Sequence, residues 1–265
     1  MGKVSSIRLK TSDEIALMRK ANLIVAEVLS VLKNKIAPGM STFELDRIAE
    51  EHCLDCGGLP AFKGYCGFPA SLCVSVNEEV VHGIPSRKRI LREGDIVSLD
   101  FGVLYQGFYG DAAITLPVGR ISEKKTRLLQ VTEDALYKGI AQAVPGNRVS
   151  DISQAVQSYV ENAGFTIVRQ FVGHGVGAQL HEAPEVPNYR STDKSSPRLL
   201  EGMVLAIEPM VNVGTHRVKI LDDHWTVVTE DSQPSAHFEH SVAITATGPY
   251  ILSHREIRGD DPVVC

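Results

Sequence analysis

The segment from Gly94 to Asp111, GDIVSLDFGVLYQGFYGD, determines the fold class of this chain. Two apolar runs flank the turn residues Gln106-Gly107, a pattern that predicts two antiparallel strands joined by a two-residue loop. That loop places Asp111 opposite Gly102, and Asp100 lies two positions from Gly102 on the same face. The two carboxylates are then diagonal neighbours, roughly 7 to 8 Å apart at the backbone. Gly102 leaves space between them for a cation.

The two aspartates are unfavourable in such a strand unless something compensates for their burial. A carboxylate inside the apolar run from Ile96 to Val103 loses hydration, and two carboxylates on one face repel each other. A bound cation removes both penalties. Considered alone, however, the pair is equally compatible with a solvent-facing edge strand that carries two exposed aspartates.

Two histidines lie seven positions apart in the glycine-rich stretch VGHGVGAQLH, which runs from Val172 to His181. Its glycines exclude a regular helix and allow close approach of the backbone. Taken singly, His174 or His181 is more often a structural histidine than a ligand. No helix with a dinucleotide-binding fingerprint follows the glycines, so a nucleotide site is not predicted.

Two glutamates lie where strands project side chains into a site. Glu208 directly follows the apolar run 203–207 and precedes Pro209, and Glu239 interrupts AHFEHSVAIT, residues 236–245, which is predicted to be one strand. The alternating residues of that strand should face away from Glu239: Phe238, Val242 and Ile244. Buried glutamates need partners. Four carboxylates with histidines suit Mn, Fe, Co or Zn and are enough to bridge two ions.

A pair of capped helices is predicted twice along the chain. The first pair starts at the capping boxes Thr11–Glu14 and Ser41–Glu44, and the second starts near Ser122 and Ser150. Each pair leads into strand-like sequence, at 72–76 in the first half and at 166–172, 203–207 and 225–228 in the second. This order predicts an α+β fold whose antiparallel sheet is covered on one side by helices. The repeat suggests two related halves, although capped helices followed by Pro-Gly also recur by coincidence.

Composition excludes several classes of function. The 265 residues include 43% hydrophobic and 22% charged residues, an ordinary globular composition that argues against disorder. A formal charge of -5 provides no basic footprint, so no nucleic-acid binding is predicted. No apolar run is long enough to span a membrane, and the N-terminus lacks a signal-peptide core, so a cytoplasmic location is expected.

Five motifs, in this order and spacing, resemble the type I methionine aminopeptidases in their short bacterial form. They are HGIP at 82–85, the hairpin from Asp100 to Asp111, FVGHGVG at 171–177, AIEPM at 206–210 and FEH at 238–240. The resemblance covers nearly the whole chain. It implies the pita-bread fold, with two pseudo-symmetric halves around a curved antiparallel sheet. It also implies a single catalytic domain over residues 1–265, with halves at about 1–120 and 121–265.

The resemblance also assigns roles to individual residues. It implies two divalent metal ions, one bound by Asp100, the other by His174 and Glu208, and both bridged by Asp111 and Glu239. His82 and His181 match the two catalytic histidines of the family that contact substrate without binding metal, as oxyanion-type donors. Glu208 would also carry protons between the attacking water and the leaving amine.

The implied reaction is removal of the initiator methionine from nascent polypeptides whose second residue is small, by a hydroxide held between the two ions. The methionine side chain would lie in an apolar, polarizable pocket lined by Phe62, Tyr65, Phe68, Cys73, Leu180 and Trp225. The family implies a monomer that works near the ribosome, but no residue specifies a ribosome contact. The sequence does not decide the physiological metal, the detailed second-residue specificity, or the roles of the Ser191–Pro197 loop and the C-terminal tail.

Two alternative functions stay open from the sequence. An Xaa-Pro aminopeptidase or prolidase shares the fold and the five ligands, but such enzymes usually carry a large N-terminal domain, whereas His82 follows only two predicted helices. A non-catalytic pita-bread module that binds peptides is the other alternative. Such modules usually lack the ligands, and all five are present here.

Overall fold

The computed structural model describes residues 7–190 and 196–254. Most of the Ser191–Pro197 loop and the tail after His254 therefore lie outside the described residues. Four α-helices are present in the described chain: α1 (Ser12–Lys35), α2 (Thr42–Asp55), α3 (Glu123–Ile140) and α4 (Val149–Asn162); a 3-10 helix spans Tyr65–Gly67. The two capping boxes predicted for α1 and α2 are confirmed, with Thr11 and Ser41 as the N-cap residues.

The strands of the described residues are β1 (Leu59–Pro60), β2 (Cys73–Val76), β3 (Glu79–Val81), β4 (Ile96–Tyr105), β5 (Phe108–Pro117), β6 (Thr166–Ile167), β7 (Gly173–Gly175), β8 (Glu182–Val186), β9 (Val204–Ile207), β10 (Met210–Asn212), β11 (Val218–Ile220), β12 (Val227–Thr229), β13 (Ser235–His237), β14 (Glu239–Thr245) and β15 (Gly248–Ile251). They form three antiparallel sheets. The largest has the order β1-β4-β5-β14-β9-β7-β8, with β2 paired to β4 and β15 paired to β14. The other two have the orders β13-β10-β6 and β11-β12-β3.

The β4–β5 hairpin has the predicted register. Gly102 pairs with Asp111, and Asp100 pairs with Ala113 two positions further along β5. The loop consists of Gln106 and Gly107, both with positive φ, at 49° and 85°. Two left-handed residues in succession match the right-handed twist of the flanking strands, which explains why this loop fixes the register.

Two predicted strands are wrong in extent. The strand expected over 166–172 ends at Ile167. The strand expected over 236–245 is two strands, β13 and β14, which belong to different sheets and are separated at Phe238. The separation is stabilised by Thr115, whose hydroxyl accepts the His237 N–H at 2.8 Å and donates to the His237 carbonyl at 2.7 Å.

The helices cover one face of the large sheet. Alternate residues of β4 pack with α1 and α2 in one cluster of buried side chains: Val97, Leu99, Phe101 and Val103. In the second half, Leu136 and Ile140 of α3 pack with Leu205, Ile207, Val242 and Ile244. Because strand residues alternate between faces, the residues between these positions point to the opposite face of the sheet, which is where Asp100 and Glu239 lie. The α+β prediction is confirmed.

None of the helices in the described chain is both long and apolar enough to cross a membrane.

Candidate metal centre and adjoining cavity

Five strands that are neighbours in the sheet deliver the five predicted metal ligands. In the order β4-β5-β14-β9-β7 these residues are Asp100, Asp111, Glu239, Glu208 and His174, with Glu208 directly after the end of β9. Their order in the sheet differs from their order in the sequence, because β14 is inserted between β5 and β9. Sheet topology alone therefore gathers residues that are up to 139 positions apart.

The pairing register puts these side chains on one face. Asp100 and Glu239 both pair with Ala113, so the three lie in a row across the sheet. His174 pairs with Ala206, which is two positions before Glu208 and so shares its face. Cys73 pairs with Asp100 and extends the row by one strand.

The carboxylates and the histidine converge closely enough to bind a metal ion. Ligand atoms of Asp111, His174 and Glu239 all lie within 4.8 Å of one another. The Nε2 atom of His174 is 3.5 Å from Oε1 of Glu208 and 4.0 Å from Oδ2 of Asp111. Asp100 lines the same cavity. The structure thus brings all five predicted ligands together.

The electrostatics of the cluster favour a cation. One carboxylate oxygen in each of Asp100, Asp111 and Glu239 is buried without a hydrogen-bond partner among the described residues. Burial raises the pKa of Asp100 to about 7. Burial and repulsion between neighbouring carboxylates hold the pKa values of Asp111, Glu208 and Glu239 well above their ordinary range. Such carboxylates are stable in ionised form only beside a positive charge, so the donor set fits divalent ions.

His174 is prepared to act as a ligand through Nε2. Burial lowers its pKa to about 3, so the ring is neutral. Its Nδ1 lies 2.9 Å from the carbonyl oxygen of Gly175, to which it donates in the tautomer that leaves the Nε2 lone pair facing the carboxylates. A backbone acceptor in this position orients the ring and strengthens the ligand.

His82 projects into the cavity from a tight turn. Its φ of 59° is left-handed. The next residue must be glycine, because a Cβ on Gly83 would lie 2.2 Å from the carbonyl oxygen of Val74. The His82 ring contacts Phe171 and Trp225 edge to face, with centroids 5.5 and 6.2 Å apart. Burial lowers the pKa of His82 to about 4.

His181 lies beside the carboxylate cluster, with its ring centroid 4.2 Å from that of His174. Its Nδ1 is 2.7 Å from the hydroxyl of Tyr65. Burial lowers its pKa, so the ring is neutral near pH 7. The Tyr65 hydroxyl can therefore donate to Nδ1 and leave an N–H on Nε2, the arrangement that a donor to substrate requires.

An apolar cavity of about 250 Å³ adjoins the carboxylates. Five of the six residues predicted for the methionine pocket pack together there: Phe62, Phe68, Cys73, Leu180 and Trp225. Tyr65, the sixth, also lines the cavity, but it lies 38% exposed at the rim.

The role predicted for Gly102 changes in the structure. The space above Gly102 is filled by the aromatic ring of Phe62, because a Cβ on Gly102 would lie only 2.6 Å from the Phe62 Cε1 atom. Gly102 therefore makes room for a pocket wall and not for a cation between the two aspartates.

Several residues that line the cavity or contact a predicted ligand were not predicted as site residues. Cys66, Val81, Phe171, Val172 and Met210 line the cavity. Phe171, Val172 and Met210 belong to the sequence motifs that contain His174 and Glu208, whereas no sequence feature distinguishes Cys66 or Val81. Asn22 and Ser241 were also missed; their side-chain oxygens each lie 3.3 Å from the backbone nitrogen of Asp111.

Fold and carboxylate cluster together define the class of protein, a metal-dependent hydrolase with the pita-bread fold. Residues 16–246 match the model of metallopeptidase family M24, and the chain belongs to that family.

Within this family, the chain is most readily compared with several methionine aminopeptidases. The chain is 55% identical over 247 residues to the methionine aminopeptidase of Clostridium perfringens, covering 93% of this chain and 98% of that protein. It is 56% identical over 244 residues to methionine aminopeptidase 1 of Bacillus subtilis, covering 92% and 98%. A crystal structure of methionine aminopeptidase from Thermotoga maritima superimposes with a TM-score of 0.91 at 46% identity, covering 94% of this chain and 99% of that one.

Proposed function

We propose that this chain removes the N-terminal methionine from nascent polypeptides whose second residue is small. The observation that carries the proposal is the position of the buried, unpartnered carboxylates directly beside the 250 Å³ apolar cavity. A site that combines polarising charge with an apolar pocket fits hydrolysis next to an apolar side chain. Identity above one half with proteins named methionine aminopeptidase supports the same activity.

Two divalent ions are the proposed cofactors, and Co, Mn, Fe and Zn all suit the donors. Asp100 would hold one ion, His174 and Glu208 the other, and Asp111 and Glu239 both. When bound, such ions supply a Lewis acid that polarises the scissile carbonyl and lowers the pKa of water.

The protein contributes binding and proton transfer. The methionine side chain would lie among Phe62, Phe68, Cys73, Leu180 and Trp225, with Tyr65 at the rim. In the reaction water adds to the carbonyl carbon, one of its protons passes to the leaving nitrogen, and the peptide C–N bond breaks. Glu208 is proposed to carry that proton, because its carboxylate lines the cavity and lies beside His174 in the carboxylate cluster.

The two neutral histidines are proposed to contact substrate. His82 and His181 each carry one ring N–H that can donate to the peptide group as its oxygen gains charge. Their lowered pKa values keep them neutral beside the ions, so neither repels the cationic centre.

The same proposal includes the setting of the reaction. We expect residues 1–265 to act as a single catalytic domain in a cytoplasmic monomer. Its partners would be the N-termini of nascent chains, so we expect it to act near the ribosome. No nucleic-acid or membrane partner is part of the proposal.

Amino-acid release from three peptides tests the function. Protein stripped of metal and resupplied with Mn²⁺ or Co²⁺ is offered Met-Ala-Ser, Met-Leu-Ser and Ala-Pro-Ala. We expect metal-dependent release of methionine from Met-Ala-Ser only. Alanine from Ala-Pro-Ala would instead indicate an Xaa-Pro enzyme, and no release with either metal would favour a binding module.

Two matched variants distinguish hydrolysis at this site from hydrolysis by contaminating host peptidases. Glu208→Gln removes the proposed proton carrier, whereas Glu201→Gln makes the same chemical change at an exposed position seven residues earlier. Activity should be lost in the first variant and retained in the second. Equal activity in both preparations would mean that the measured hydrolysis does not come from this site.

A further inference from the structure

His237 lies behind Glu208 and has no role in the function described so far. It is 1% exposed, and neither of its ring nitrogens has a hydrogen-bond partner among the described residues. Its Nε2 atom is 3.7 Å from Oε2 of Glu208. Two buried nitrogens without hydrogen-bond partners are unfavourable, so this ring needs a partner. The Glu208 carboxylate lies near it, but just beyond hydrogen-bond distance.

The backbone of His237 is anchored by hydrogen bonds on both its N–H and its carbonyl, which fixes the point from which its ring projects. The Thr115 hydroxyl bonds to both the N–H and the carbonyl of His237, and it is itself 2.8 Å from the hydroxyl of Ser98. His237 also pairs with Met210, which follows Glu208 by two residues. The same pairing that builds the β10–β13 sheet therefore sets the position of the imidazole relative to Glu208.

The two carboxylate oxygens of Glu208 face different histidines. Oε1 lies 3.5 Å from Nε2 of His174, a residue of the carboxylate cluster, and Oε2 lies 3.7 Å from Nε2 of His237. A separation of 3.7 Å is too long for a hydrogen bond, but a shift of about 0.7 Å closes it. The terminal torsion of a glutamate is soft enough to supply that shift.

We propose that His237 is a positioning residue, which donates its Nε2–H to Oε2 of Glu208 and fixes the rotation of that carboxylate, so that Oε1 faces the metal cluster. The inference rests on the proposed function. It adds to that function a donor that no motif of the sequence indicated. Because Glu208 is both a proposed ligand and the proposed proton carrier, a carboxylate that rotates freely would weaken both roles.

Metal binding measures the role independently of turnover. Metal-free parent, His237→Leu and His237→Gln proteins are titrated with Mn²⁺ in a calorimeter, and Co²⁺-loaded samples are compared by visible absorption. Loss of an outer-shell partner typically lowers metal affinity or activity by about 10- to 100-fold. We expect a loss of that size in His237→Leu, with an altered Co²⁺ spectrum. His237→Gln, whose amide can place an N–H near the position of Nε2, should recover most of the loss.

Kinetics on Met-Ala-Ser supply a second readout. His237 does not line the apolar cavity, so His237→Leu should lower kcat by a similar factor while KM changes less than about threefold. His52→Leu is the matched control, because the Nε2 atom of His52 is also buried and unpartnered but lies on α2, away from the cavity. Should His237→Leu fail to fold, His237→Met offers another donor-free side chain.

The proposal is overturned if folded His237→Leu or His237→Met binds Mn²⁺ and turns over substrate as the parent does. It is also overturned if His237→Gln is as impaired as His237→Leu while both melt at the parental temperature, since the ring volume and not the donor would then matter. If the variants lose Mn²⁺ affinity but the parent releases no methionine, the positioning role stands and the proposed function fails.

Discussion

Replacing Asp100 with asparagine should stabilise the metal-free protein at neutral pH. Asp100 carries a buried carboxylate oxygen without a hydrogen-bond partner among the described residues, and burial raises its pKa to about 7. Without metal, ionisation of this group at neutral pH is opposed by the fold. Asparagine keeps the size and polarity of the protonated acid but cannot ionise, so the substitution removes this penalty together with the repulsion that a charged Asp100 exerts on Asp111, Glu208 and Glu239.

The size and sign of the effect follow from the two pKa values. In the unfolded chain Asp100 has its ordinary pKa of 3.8, and in the folded protein about 7. Between these values the folded state binds more protons than the unfolded state, so the free energy of unfolding falls as pH rises. Each pH unit in this window corresponds to about 1.4 kcal/mol. Asp100→Asn should therefore equal the parent below pH 3.8 and exceed it by up to about 4 kcal/mol above pH 7.

Urea unfolding of chelator-dialysed parent and variant, measured from pH 4 to pH 8, tests this expectation. The difference between the two proteins is the relevant quantity, because the buried histidines titrate in both and cancel. Asp222→Asn removes one carboxyl from an exposed position and serves as the control. With Mn²⁺ present the order should reverse, since the parent gains binding free energy that the variant lacks. A variant no more stable than the parent above pH 7, or a difference that stays constant with pH, would refute the reasoning.

Two further substitutions test the site, and a third tests an anchor of β2. Gly102→Ala puts a methyl group 2.6 Å from Phe62 Cε1, which should displace that ring and raise KM for Met-Ala-Ser about tenfold. An unchanged KM would mean that Phe62 does not line the methionine pocket. Tyr65→Phe removes the 2.7 Å hydrogen bond to His181, so kcat should fall about three- to tenfold without a change in Tm. A variant as active as the parent would contradict a role of Tyr65 in orienting His181. Asp46→Ala leaves the N–H groups of Ser71 and Leu72, each 2.9 Å from Asp46 Oδ1, without their acceptor. Urea unfolding should show that the free energy of unfolding falls by about 2 to 4 kcal/mol. A fall of less than about 1 kcal/mol would argue against this anchor of β2.

The β4–β5 hairpin could be predicted to the residue because its information is local. Alternation with a period of two, together with a loop of two left-handed residues, fixes both the register and the shared face of Asp100 and Asp111. The helix starts were equally accessible, since a capping box involves residues only three positions apart. In both cases the interactions that decide the structure lie within one short segment.

Long-range pairing could not be predicted in the same way. No local pattern places β14 between β5 and β9, yet that insertion brings Glu239 beside Asp111 and Glu208. Where residues 235–245 divide into β13 and β14, the backbone of His237 bonds to the Thr115 hydroxyl, which is more than a hundred positions away in sequence. For the same reason, the sequence does not indicate His237 as a site residue. Within an isolated strand pattern it is an ordinary alternating position, and only the tertiary pairing puts it next to Glu208.

The site and the core are formed by opposite faces of the same strands, so the register of these strands determines both. In β4, Asp100 points to the cluster while Leu99 and Phe101 on either side point to the helices. In β14, Glu239 points to the cluster while Val242 and Ile244 are buried against α3. A register slip of one residue would bury the carboxylates among helices and expose the apolar side chains. The strong burial of the helix-facing residues therefore fixes the register, and the register in turn keeps mutually repelling carboxylates together in the absence of metal.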